Sequence, residues 1–145
     1  MDSKITYDFA STRRLMLALN RARKILTAEV NDALRQFGVD ARQMRILLEL
    51  AHERANSPGA LAKLLDIDTG QMTRVLDGLE KKELLRRYRH PDDRRALRLA
   101  LTEPGREMAE RGAPILMMVE NRRLALLSDT ESNALSRLLK KLLDE

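Results

Sequence analysis

Apolar residues return every three or four positions through the first quarter of the chain, at Leu15, Leu19, Ala22, Leu26, Val30, Ala33 and Phe37. That spacing marks one face of a helix and predicts it from about Phe9 to Arg35, with Gly38 as its stop. A helix of this length carries more apolar surface than a small core covers from one side, so a partner chain is expected to bury the remainder. A second helical pattern, Ala41 to about Glu53, follows a cap at Asp40 and is buried through Met44, Leu47, Leu48 and Ala51. Ser57-Pro58 pairs a cap residue with proline at the first helical position, where its missing N–H does no harm. A short helix from Pro58 to about Leu65 then buries Leu61 and Leu64, with Leu65 at the margin. Asp66-Ile67-Asp68 makes a tight turn. Asp68 with Gln71 forms a capping pair opening a helix from Thr69 to about Lys82, whose core face is Met72, Val75, Leu76 and Leu79.

The hydrophobic period then changes from helical to two. Leu84 to Arg89 alternates, setting Arg87 and Arg89 opposite in facing to Arg86 and Tyr88. Leu97 to Leu101 alternates more cleanly, with three leucines on one face. Between them His90 to Ala96 is polar and turn-forming, so a β-hairpin is predicted. Thr102 caps another helix, Glu103 into the region of Leu126, in which Gly112 and Pro114 predict a bend or break. Ser128 with Glu131 is a capping box for a last helix, whose stripe of Leu135, Leu138, Leu139, Leu142 and Leu143 suits a core shared between two chains. The predicted fold is mainly α with a small β-hairpin wing. A short helix, a tight turn and a longer capped helix form a helix-turn-helix, and the hairpin after it is the wing. Residues 1–38 and 103–145 are expected to form a helical dimerisation region, and 39–102 the winged helix-turn-helix.

Composition narrows the chemistry. Among 145 residues aromatics are only 3%, against 34% charged, which suits amphipathic helices better than a β-sandwich. Cysteine is absent, which excludes disulfides, thiolate metal sites, cysteine nucleophiles and thiol redox sensing. No segment offers the apolar run of a membrane span, and MDSKITYDFA lacks a signal-peptide core, so a cytoplasmic location without membrane contact is expected. The net charge of +5 is unevenly placed: Lys81 to Arg98 holds eight basic and three acidic residues, and the rest of the chain is balanced. Such a localised patch is the footprint of a phosphate-binding surface, while a solvated basic loop is the plainer reading of the same charges.

Helix and patch together suit double-stranded DNA. The major groove admits one helix with an apolar back and a polar front, and Thr69, Gln71, Thr73 and Arg74 lie off the leucine face. Glutamine pairs bidentately with adenine, arginine with guanine, and threonine meets a base or a phosphate. Gly70 permits close approach to the DNA backbone. At the hairpin tip, Arg94 and Arg95 can enter a minor groove narrowed by A·T pairs. Asp92 or Asp93 beside them makes sense as the salt-bridge partner that orients an arginine. Arg86, Arg87 and Arg89 suit sequence-blind phosphate contacts. Paired two-fold through its terminal helices, a homodimer sets its recognition helices roughly 34 Å apart and predicts a pseudopalindromic site.

The run from Ile67 to Lys82, then Leu84-Leu-Arg-Arg, then Asp92 to Gly105 closely resembles the MarR family of bacterial regulators, and the likeness extends over nearly the whole chain. Its most specific part is the Asp-x-Arg at Asp93 and Arg95 followed by Leu101-Thr102. The resemblance implies that Arg95 enters the minor groove and that Asp93 steadies it. It also implies a triangular homodimer, usually a repressor, and in many members release by a small phenolic or anionic effector bound between the dimerisation helices and the winged domain. Glu83 stands where the family usually has the glycine that ends the recognition helix.

Other classes fit less well. The two histidines, His52 and His90, lie on separate elements, and no Gly-rich phosphate loop or H-E-x-x-H motif is present, so neither an enzyme nor a cofactor is expected. A sequence-nonspecific DNA architectural protein would share the basic patch without needing a polar, groove-sized helix. A helical adaptor would dispense with Arg95.

Overall fold

The computed structural model describes residues 8–145. The first seven residues of the stretch expected to lack a signal-peptide core lie outside it. Among the described residues, α1 spans Phe9–Leu34, a 3₁₀ turn Arg35–Phe37, α2 Ala41–Ala51, α3 Pro58–Leu65, α4 Thr69–Lys81, β1 Leu85–His90, β2 Asp93–Leu101, α5 Glu103–Leu124 and α6 Asp129–Leu142. The two strands form one antiparallel hairpin. No helix among the described residues is long and apolar enough to cross a membrane.

The helix starts follow from local chemistry. The side chains of Asp8, Asp40, Ser57, Asp68, Thr102 and Ser128 each accept the backbone N–H three residues on. Each satisfies a donor that the first turn would otherwise leave unpaired. Asp40 with Gln43 and Ser128 with Glu131 are full capping boxes. At Asp68 only half of one forms, the bond from Gln71 N–H at 2.9 Å. Gly38 adopts φ +70° and turns the chain out of the 3₁₀ segment toward α2.

One core holds α2, α3, α4 and the hairpin together. It gathers Leu34 from α1, Met44, Ile46 and Leu47 from α2, Leu61 from α3, Met72, Leu76 and Leu79 from α4, and Leu85 and Leu99 from the hairpin. Leu64, expected inside, is half-exposed, and Leu48 and Val75 are only partly buried. The buried positions on α2 also include Ile46 and Leu50, because that helix is covered from two sides, by α4 and by α5, and its buried arc is wider than a single stripe.

Helix α5 packs on both α1 and α2 and runs unbroken through Gly112 and Pro114, so of the expected bend or break the break does not occur. Proline removes one helical hydrogen bond. Here Ala109 on one side and Leu116 and Val119 on the other are buried, so packing holds both halves in register. Gly112 is where α5 lies against α2: a Cβ there would stand 2.0 Å from Met44 Cε. Gly105 is tighter, since a Cβ would meet the Leu84 carbonyl oxygen at 1.8 Å. The start of α5 therefore sits directly on the junction between α4 and β1. No residue of α6 is buried, and its leucines, with Leu15, Met16, Leu17 and Leu19 of α1, are exposed.

Candidate nucleic-acid interface

Asp66 ends α3 in the left-handed region at φ +52°, and Asp68 restarts the chain as α4. The N-terminal half of α4 presents Thr69, Gly70, Thr73 and Arg74 to solvent, with Gln71 half-buried, while Met72 and Leu76 anchor the opposite face. The Thr73 hydroxyl donates to the Thr69 carbonyl at 3.0 Å, which leaves its oxygen lone pairs as acceptors. The apolar back and polar front expected of the helix are both present.

At its far end α4 stops in a Schellman arrangement: Leu84 N–H donates to the Leu79 carbonyl at 3.0 Å and Glu83 N–H to the Glu80 carbonyl at 2.9 Å. Glu83 takes φ +58°, the left-handed conformation that glycine adopts most freely. The replacement of glycine thus changes the cost of the termination and not its geometry. The Thr102 hydroxyl donates to the Glu83 carbonyl at 2.6 Å, so the end of β2 clamps the same corner.

The hairpin register pairs Leu85 with Leu101, Arg87 with Leu99 and Arg89 with Leu97 on one face. Arg86 with Ala100 and Tyr88 with Arg98 share the other. Residues 90–96 were expected to be loop. Instead β2 begins at Asp93, Pro91-Asp92 alone makes the turn, and the register slips between Arg89 and His90. A bulge that leaves residues of one strand unpaired bends it, and here the unpaired stretch is Arg94 to Ala96. Arg94 and Arg95 therefore stand exposed at the tip, with Arg86 and Arg89 exposed along β1.

Asp93 acts differently from the salt-bridge expectation. Its carboxylate accepts the backbone N–H of Arg95 at 3.0 Å, and no ion pair joins the two side chains among the described residues. It fixes the bend from which Arg95 projects. The Arg95 carbonyl accepts from Arg89 Nη1 at 3.4 Å, and Asp92 N–H donates to His90 Nδ1 at 3.1 Å.

Arg87 is placed apart from the other basic residues. Only 25% of its side chain is exposed, and it binds two carboxylates of α4. Nη2 donates to Asp77 Oδ1 at 2.5 Å and to Glu80 Oε1 at 3.1 Å, while Nε and the backbone N–H both donate to Glu80 Oε2 at 3.2 Å. The hydrogen bond from Arg87 holds the Glu80 carboxyl below its usual value, and Glu80 in turn raises the guanidinium. Asp77 and Glu80 escaped the sequence reading. The available signal was their spacing of three on one helix, together with the alternation that puts Arg87 on the same face as buried Leu85.

The winged helix-turn-helix is thus complete: α3 and α4 about a tight turn, with a bulged, arginine-tipped hairpin against the end of α4. A family model described as the MarR family matches residues 39–97. The multiple antibiotic resistance protein MarR of Escherichia coli is 30% identical over 115 residues, covering 79% of this chain and 80% of that one. The chain belongs to the MarR family. It aligns with only about half the length of YhbI, an uncharacterized HTH-type transcriptional regulator of Bacillus subtilis, at 36% identity over 81 residues, 55% of this chain and 52% of that one. Among solved structures, a mutant of Escherichia coli MarR in complex with operator DNA superposes with a TM-score of 0.83 at 26% identity, covering 94% of this chain and 99% of that one. CouR of Rhodococcus jostii, bound to p-coumaroyl-CoA, superposes with a TM-score of 0.75 at 27% identity, covering 88% and 90%.

Proposed function

We propose that this protein is a cytoplasmic transcriptional repressor that binds a pseudopalindromic operator as a homodimer. The observation that carries this reading is the conjunction of a polar, exposed N-terminal half of α4 with a hairpin whose arginines stand at its tip. Thr69, Gln71, Thr73 and Arg74 meet bases and phosphates in the major groove. Arg95, braced by Asp93, and Arg94 enter the adjoining minor groove, and Arg86 and Arg89 hold the sugar–phosphate backbone. The operator complex of a 26% identical relative supports the assignment. Residues 1–38 and 103–145 form the dimerisation region, a role supported by the exposed leucines of α1 and α6.

Release by a small phenolic or anionic effector is part of the same proposal. A cavity of about 450 Å³ lies between α1, α2, α5 and the turn before α4, lined by Arg23, Val30, Arg42, Arg45, Ile67 and Glu120. Arg45 is paired with Glu120 and Asp66 also lines the wall, so Arg23 and Arg42 above the apolar floor are the cations that suit an anion with a hydrophobic body, and the cavity adjoins the turn that aims α4. The p-coumaroyl-CoA in CouR is in keeping with such a ligand class.

Selection of binding sites from a random duplex pool tests the core of this reading. The expected product is an inverted repeat with half-site centres one helical turn apart, about 10 bp. Recovery of unenriched sequence would instead favour a sequence-blind architectural protein.

A further inference from the structure

The most heavily bonded basic residue of the hairpin faces the recognition helix. Arg87 is on the core face of β1, in phase with Leu85, and spends its donors on Asp77 and Glu80 of α4. These carboxylates lie on the last two turns of the helix, whose N-terminal half carries Thr69 to Arg74. A planar guanidinium bound to two carboxylates, with the backbone N–H beside it bound to one of them, resists rotation as well as separation. The clasp therefore sets the angle at which the hairpin leaves the helix.

We infer that Arg87 is a positioning residue: with Asp77 and Glu80 it locks the hairpin to the recognition helix, so that both reach adjacent grooves as one rigid unit. This rests on the proposal above that α4 and the hairpin tip contact DNA together. It gives Arg87 a different task from Arg86 and Arg89, and it explains why two acidic residues are kept so close to a phosphate-binding surface. In a simple phosphate-binding patch they would only repel the duplex.

The two roles predict opposite signs for one variant. Neutralising the carboxylates, Asp77→Asn with Glu80→Gln, removes two negative charges and frees Arg87. If Arg87 were a phosphate contact, affinity would rise and the slope of log K against log salt would steepen by about 0.9, the increment for one further neutralised phosphate. If Arg87 positions the hairpin, affinity falls by ~3- to 10-fold, as expected for a half-exposed, multiply bonded ion pair, with the slope unchanged. Arg87→Lys repeats the contrast in a chain that keeps every charge: lysine serves a phosphate but cannot span both carboxylates, so the same fall is expected. Both variants are measured with the full chain on the selected duplex, beside thermal unfolding. Unchanged or increased affinity in the folded variants would overturn the inference, and so would a loss of stability with no loss of affinity. If the double variant does not fold, Arg87→Lys decides. Arg95→Ala is the control: if it too leaves affinity unchanged, the failure lies in the assignment of the hairpin tip and not in the clasp.

Discussion

Glu83 holds a left-handed conformation at the corner where α4 turns into the hairpin. A non-glycine residue there costs roughly 1–2 kcal/mol, partly offset because glycine leaves a more flexible unfolded chain. Glu83→Gly is therefore expected to raise stability by about 0.5–1 kcal/mol, read as a higher urea midpoint with an unchanged slope. Two glycines of α5 make the opposite case. At Gly105 an added methyl meets a backbone carbonyl that the Thr102 bonds hold in place, so Gly105→Ala should cost ~2–3 kcal/mol. At Gly112 the obstacle is the end of a methionine side chain, which can swing aside. Gly112→Ala should cost under about 1 kcal/mol, since methionine adapts and alanine favours the helix. Equal losses at the two sites, measured by denaturant unfolding, would contradict this account of the corner. The oddity at Glu83 could be seen in the sequence, whereas its φ could not, because the angle depends on where β1 must go.

The caps and periods of the helices were legible, since each rests on residues within a few positions of one another. Helix α3 was expected to start at Pro58 and end near Leu65, and it does. The hairpin was legible as an element and not at its tip. The bulge that extends β2 to Asp93 depends on pairing across strands, and no local turn signal encodes it. The same holds for the clasp, in which Arg87 lies seven and ten residues from its two carboxylates and meets them only once β1 folds back on α4. The wing and α4 should also separate cleanly by mutation. Gln71→Ala or Arg74→Ala is expected to relax preference at single base positions by ~1–3 kcal/mol, read from binding to a panel of substituted duplexes. Arg86→Ala or Arg89→Ala should weaken every duplex alike and reduce the salt slope by about one. Because Arg87 holds the Glu80 carboxyl below its usual value, the clasp is fully formed at neutral pH. It contributes above the ordinary glutamate range and is lost only as pH falls through the depressed value. Wing docking should therefore be insensitive to pH between about 6 and 8.

At the scale of the whole chain, the exposed leucines are the surface that the proposed second copy covers. Leu138 is 48% and Leu142 68% exposed on a helix with no buried residue, a poor arrangement for a monomer. Leu138→Asp with Leu142→Asp is expected to shift sedimentation from dimer to monomer and to lower DNA affinity steeply, because one recognition helix alone binds weakly. A variant that stays dimeric would place the interface elsewhere. The exposed faces were legible from helical spacing, while the cavity among Arg23, Arg42 and Arg45 was not, since it exists only where α1, α2, α5 and the turn before α4 meet. The central claim, that α4 and the hairpin together read a particular duplex, is tested most directly by equilibrium competition. The selected site is set against a scrambled duplex of equal length and composition, at one near-physiological salt concentration. The account predicts a preference of ~10³-fold or more for the selected site. A ratio near one, with both complexes dissolving alike as salt is raised, would contradict it.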